Sequence, residues 1–191
     1  MSSATLDTQH VEHATRRWLN DFIIAHNVCP FAHKVASEQR IKFSVSDATQ
    51  ADHLLQELND ELNALSEKED IDTTLLIHPN TLTDFFEFND FLATVDDLLD
   101  ALDLHGVFQI ASFHPDYQFA GTEFDDAENF TNRSPFPTLH ILREDSVSLA
   151  VDAHPNPDGI PDDNIERMRA IGAPALRDMI QQHLTAPTDD K

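Results

Sequence analysis

Two segments of the chain end alike: Leu75-Leu-Ile-His78-Pro79 and Ala111-Ser-Phe-His114-Pro115. Each is a short apolar run of strand length, then an imidazole, then a proline that cannot continue a central ladder. Imidazole exchanges protons near neutral pH, and its neutral ring ligates metals. If both runs lie in one sheet and point the same way, both rings sit at its carboxyl edge, where open α/β sheets bind ligands. Neighbouring strands are about 4.8 Å apart, so such rings can share a proton, a substrate or a metal ion. The competing reading is that His-Pro merely stops a strand while the ring makes a local hydrogen bond.

The residues after His114 extend this candidate site. Tyr117 is the only tyrosine in a chain with 13 phenylalanines. It joins His78 and His114 as a candidate catalytic group, or else it is an amphipathic ring at a loop edge. Asn132, Arg133 and Ser134 are candidate substrate-binding residues. Arg133 would hold a carboxylate or phosphate, or would neutralise the acids near it in sequence. Cys29 is followed by Pro30 and by His33. With His78, His114 and His140 it makes a candidate metal set, for zinc or iron as a transition-metal cofactor. Against this, His140 lies between Leu139 and Ile141 and reads as a core or edge histidine. Cys29 reads as a packed thiol at a helix C-terminus, the wrong dipole end for a thiolate. The chain has four glycines and no Gly-rich phosphate loop, Gly-x-Ser-x-Gly elbow or His-Glu-x-x-His helix.

These residues need elements to position them. Val11, Trp18, Phe22 and Cys29 share a face, which predicts a first helix over 9–29, ended by Pro30. Arg40 to Ser46 alternates as a half-buried strand. Thr49-Gln-Ala-Asp52 resembles a capping box opening a helix with the stripe Leu54, Leu55, Leu58, Leu62 and Leu65. Residues 71–77 read as a strand. Residues 82–103 read as a helix with Phe85, Phe88, Leu92, Val95, Leu99 and Leu102 on one seam, and 107–113 as a further strand. Residues 115–137 show no period and read as a long functional loop. A strand over 138–142, a short helix over 145–151 and a broken helix from Asp162 or Asp163 to about Leu184 follow. The alternation predicts an α/β fold: one domain over 9–184, with a small mostly parallel or mixed sheet of about four strands packed by helices. Residues 1–8 and 185–191 are expected to be flexible ends.

The chain has 191 residues and a net charge of −23, with 12 basic against 35 acidic side chains. From Phe43 to Asn132 there are 21 acidic residues and one basic residue, Lys68. That balance argues against nucleic-acid and anionic-membrane partners, which are bound through Lys and Arg. It leaves a basic protein partner, or solvated helix faces. Cys29 is the only cysteine, so no intramolecular disulfide is expected. The opening Met-Ser-Ser-Ala-Thr-Leu-Asp lacks the features of a secretory signal, and a cytoplasmic location is expected.

Several strings are distinctive: Asn27-Val-Cys-Pro-Phe-Ala32, Ile71-Asp-Thr-Thr-Leu-Leu-Ile-His-Pro79, Gln109-Ile-Ala-Ser-Phe-His-Pro-Asp-Tyr-Gln-Phe-Ala-Gly121 and Asn132-Arg-Ser-Pro-Phe-Pro-Thr-Leu-His-Ile-Leu-Arg-Glu144. Together they resemble a bacterial and plastid family known as domain of unknown function 1415, over about residues 10–173. The resemblance implies an intracellular single-domain protein and assigns no activity, cofactor or catalytic residue. The residues themselves favour an enzyme acting on a small-molecule ligand at the carboxyl edge of the sheet. The alternatives are a non-enzymatic accessory module for a basic protein partner, and a haem- or flavin-binding protein.

Overall fold

The computed structural model describes residues 7–185, so the ends expected to be flexible fall mostly outside it. The first helix, α1 (Thr8–Trp18), starts on the Asp7 carboxylate, which accepts from the Gln9 amide at 3.1 Å. It continues as a π-helical segment (Leu19–Ile24) rather than running to Cys29. Asn27 adopts a left-handed φ of 49°, which takes the chain out of the helix before the cysteine. Cys29 therefore precedes a second short helix, α2 (Ala32–Ser37), instead of ending the first.

Next come β1 (Ile41–Val45), α3 (Ala51–Glu67), β2 (Thr73–Ile77), α4 (Phe85–Ala101) and β3 (Phe108–Phe113). The expected capping box does not form. Helix α3 begins at Ala51 after Gln50, while the Ser46 hydroxyl takes the Ala48 amide at 3.0 Å, so Thr49 stays outside the helix. The cap of α4 is a side chain: Asp84 accepts from the amides of Phe86 and Glu87 at 2.9 and 3.1 Å. The chain closes with β4 (Thr138–Arg143), α5 (Glu144–Ala153), α6 (Ile160–Ile171) and α7 (Ala173–Thr185). Gly172 breaks the last two helices apart at a φ of 86°, where glycine is tolerated best.

The sheet is mixed, in the order β1-β2-β4-β3. β1 and β2 pair in parallel, and β4 lies antiparallel to both β2 and β3. β2 and β3 therefore point the same way, as expected, but they are not neighbours. Leu139 and Ile141 of β4 are fully buried on one face and Thr138 on the other, which suits a central strand. The residues of β3 after Phe108 are only half-buried, as befits an edge.

Helices cover both faces. Leu54, Leu58, Leu62 and Leu65 of α3 and Phe88, Val95 and Leu99 of α4 pack on Leu76, Leu139 and Ile141. On the opposite face, Val11 and Ala14 of α1 pack on Leu75, Ile77 and Phe136. Trp18, Phe22, Phe130, Met168, Leu176 and Ile180 extend that layer. Asp52, Asp60, Glu87, Asp90, Asp96, Asp97 and Asp100 lie exposed on the outer sides of α3 and α4. Among the described residues, no helix is long and apolar enough to cross a membrane.

Arg143 joins sheet to helix. Its guanidinium donates to the carbonyls of Leu65 and Lys68 at the end of α3, and to Ile71 O at 3.1 Å. A cation there satisfies carbonyls that the helix cannot. Arg143→Ala is expected to cost about 2–3 kcal/mol in urea unfolding, with Arg143→Lys recovering only part of it. A loss below about 0.5 kcal/mol, typical of surface substitutions, would contradict the capping role.

Candidate functional site

His78 and His114 continue their strands by one residue. The His78 amide donates to Pro137 O at 3.0 Å, and the His114 amide to Asn132 O at 3.2 Å. Side chains alternate along a strand, so His78 shares the face of Leu76, and His114 that of Ile110 and Ser112. Both rings meet one side chain of α4. The Phe88 ring lies 5.4 Å from the His78 ring and 5.3 Å from the His114 ring, centroid to centroid. With β4 between their strands, the two Cα atoms are separated by two strand spacings, about 10 Å rather than 5. Both histidines are completely buried.

Local backbone contacts set the two rings in opposite tautomers. His78 Nδ1 lies 3.0 Å from Thr81 O, so that nitrogen carries the proton and donates it. The turn that places this carbonyl includes Leu82 at a left-handed φ of 52°. His114 Nδ1 instead accepts the Asp116 amide at 3.0 Å, so its proton resides on Nε2. Each Nε2 is buried and makes no hydrogen bond of good geometry, although the Leu82 and Thr83 carbonyls lie near the His114 ring. The pair thus presents one acceptor, His78 Nε2, and one donor, His114 Nε2–H. Buried polar atoms are nearly always satisfied, so two such atoms against one phenylalanine call for an explanation.

Burial keeps both rings neutral. It pushes the His78 pKa down to about 4, the Thr81 carbonyl opposing and a charged His114 adding to the shift. Burial also lowers His114, against the pull of Asp116, the Leu82 carbonyl and Asp84. Above them lies an aromatic cover. Phe85 packs 5.5 Å from His114 and 5.1 Å from Tyr117, and Tyr117 lies 5.0 Å from Phe119. Tyr117 is half-buried at the outer side of this cover.

Asn132, Arg133 and Ser134 are engaged with backbone and ring partners of the fold. Arg133 is only 3% exposed, and its Nε and Nη2 donate to Tyr117 O at 3.1 Å and Phe124 O at 2.7 Å. Its guanidinium lies 4.4 Å from the Phe124 ring centroid and 4.5 Å from that of Phe130, and burial lowers its pKa. These contacts staple the 115–134 loop to itself. Asn132 Nδ2 donates to Ser112 O at 3.2 Å, extending the β3 edge, and Ser134 Oγ donates to Phe136 O at 2.6 Å.

The four expected metal ligands do not converge. His140 projects to the opposite face of the sheet from Leu139 and Ile141, and its Nε2 lies 2.6 Å from the Thr73 hydroxyl. That hydroxyl donates to Ile141 O, so the ring nitrogen is the donor to it. Cys29 packs against the apolar cluster that includes Trp18, Phe22 and Met168, also behind the sheet, and burial pushes its thiol pKa up despite the Phe31 and Ala32 amides near the sulfur. His114 Nε2 is protonated in this tautomer and has no lone pair to offer a metal. Among the described residues, the one trio of potential ligand atoms within 4.8 Å of one another is Asp47, His53 and Glu57, around the start of α3. None belongs to the expected set.

A family model described as "Protein of unknown function (DUF1415)" matches residues 10–178. The chain belongs to that family. No curated protein and no solved structure matches it. In this DUF1415 chain the geometry therefore has to speak for the site. Phe88, the plate between the imidazoles, carries no signal of that role in the sequence, since its place on the α4 seam marks it only as core. Thr81 and Asp116 act through backbone groups and leave no side-chain signature. Asn129 carries no signal of its role either. Fully buried, it organises the loop by bonding Phe119 N, the Thr122 hydroxyl and the carbonyls of Glu123 and Phe124.

Proposed function

We propose that this chain is an enzyme of small-molecule metabolism that moves a proton with the His78–His114 pair. The observation that carries this reading is the pair of buried Nε2 atoms, neither in a well-formed hydrogen bond, in opposite protonation states. His78 Nε2 accepts a proton from the substrate, while His114 Nε2–H donates a hydrogen bond to the oxygen on which charge develops. The proton then returns from His78 to a second substrate atom or to the product, so both rings end neutral. A neutral imidazole serves as such a donor when its surroundings keep it uncharged. The substrate enters by displacing Phe85 and Tyr117, which lie over His114 and the loop. Tyr117 is part of that cover, and Asn132, Arg133 and Ser134 support it from below.

The test is solvent exchange. Pools of small carbonyl compounds incubated with the protein in D₂O are expected to gain deuterium at carbon next to the carbonyl, read by mass spectrometry. His78→Gln and His114→Gln should each slow this by about 10²–10⁴-fold, the usual worth of a positioned acid or base. No incorporation above the uncatalysed background, or incorporation in the two variants as fast as in the parent, removes the reading.

A further inference from the structure

A second site stands on the other side of the sheet, independent of the histidine pair. A cleft of about 370 Å³ lies between α1 and its π-helical continuation, the end of α2, and β1. Its lining is Arg16, Leu19, Asn20, Ala36, Gln39, Ile41 and Phe43. No acidic side chain appears in that lining, although the chain carries 35 of them and only 12 basic ones. Of the cations on the framing elements, Arg17 pairs with Asp21, Arg40 with Asp72, and Lys42 with Glu61 on the other face of the sheet. Arg16 is the one cation in the lining, so an anion entering the cleft would meet its guanidinium.

Arg16 is held in place for such a ligand. Its guanidinium lies 3.9 Å from the centroid of the Phe43 ring, a cation–π contact that fixes the group. Glu12 takes Nε at 2.8 Å, which leaves the two terminal nitrogens as donors. Those two nitrogens present the paired N–H groups that a carboxylate accepts. Asn20 spends its Nδ2 on Arg16 O at 2.9 Å and retains a side-chain oxygen, while Gln39 retains a whole amide. Leu19, Ala36 and Ile41 supply apolar surface beside these polar groups. Two uncommon backbone features border the cleft: the π-helical turn beginning at Leu19, and Gln39 at a left-handed φ of 58°. π-Helical insertions recur at functional sites, where they reshape a helix surface. The volume falls within the range of small-molecule sites.

We infer that this cleft binds a small amphipathic carboxylate, its charge on Arg16 and its apolar part against Leu19, Ile41 and Phe43. The experiment titrates the full-length protein with benzoate and hexanoate at up to millimolar concentration, with benzyl alcohol, hexanol and inorganic phosphate as comparisons. Backbone amide shifts are the readout. At least one carboxylate should shift Leu19, Asn20, Gln39 and Phe43 saturably, with its alcohol binding about tenfold more weakly, the worth of a charge-assisted bond. Arg16→Gln should weaken the carboxylate by a similar factor and leave the alcohol unchanged. Arg16 is exposed, so this variant is expected to keep the parent melting temperature. The inference falls if neither carboxylate shifts those amides, if Arg16→Gln binds as the parent does, or if phosphate alone binds. The deuterium exchange assigned to His78 and His114 is expected to continue in Arg16→Gln, so the two sites fail or stand separately.

Discussion

Acidification from pH 7 to pH 4 is expected to remove about 6 kcal/mol of folding stability, about 3 from each of His78 and His140. Burial pushes the pKa of both rings from 6.5 down to about 4 in the folded chain. The unfolded chain binds their protons once the pH drops below about 6.5, while the folded chain refuses them until about 4. Stability is therefore complete above the unfolded value and drains away across this window. His114 and His183 are shifted in the same direction by burial and steepen the loss. The carboxylates work in another range. Asp72, hydrogen-bonded to Arg40, and Glu128, hydrogen-bonded to Arg169, are held below their usual pKa, so those pairs weaken only in stronger acid. Relief of the −23 self-repulsion also waits for carboxylate protonation, so the histidines dominate between pH 6.5 and 5. A urea midpoint that falls steadily over this interval checks the expectation. His78→Gln and His140→Gln should each flatten the slope by a similar amount, the rest coming from the other ring with His114 and His183. A flat midpoint from pH 7 to pH 5 would show that the rings are protonated at little cost and are not buried as described.

The second large effect is expected at Arg133. Arg133→Ala should cost about 3–5 kcal/mol, because it strands the carbonyls of Tyr117 and Phe124 and leaves a gap between two phenylalanine rings. Arg133→Lys keeps a charge but cannot span both carbonyls while lying against the rings, so it should recover less than half. Denaturant unfolding measures the loss, and protease cleavage within 115–134 should accelerate in the alanine variant. A cost below 1 kcal/mol would return Arg133 to the role of substrate anchor, since a guanidinium not needed by the loop is free to hold an anion.

Much of this was legible in local pattern. The seams of α3 and α4 follow from leucine and phenylalanine spacing, and the two strand-ending histidines do share an edge and a direction. Topology was less accessible. Nothing near residue 138 announces that the last strand slips between two earlier ones, because strand neighbours are chosen by burial on both faces across long separations. Loop roles were also hidden. Arg133, Asn132 and Ser134 have side chains suited to binding a ligand, and those same donors suit backbone carbonyls when the loop folds back over them. Cys29 shows a subtler limit: its spacing matches the buried face of the first helix, yet Asn27 has already turned the chain away.

The position of β4 also bears on how the protein is made. During synthesis β2 and β3 are complete while the slot between them stands open, and each offers unpaired backbone groups to any other chain. The carbonyls that receive His78 and His114, those of Pro137 and Asn132, come at the end of this interval, so sheet and site are completed in one late step. The stretch already translated by then, residues 43–132, carries 21 acidic side chains against one basic. Half-made copies bearing that charge repel one another, as gatekeeper charges do beside exposed strands. The acidic stretch thus guards an open sheet until the strand that closes it arrives.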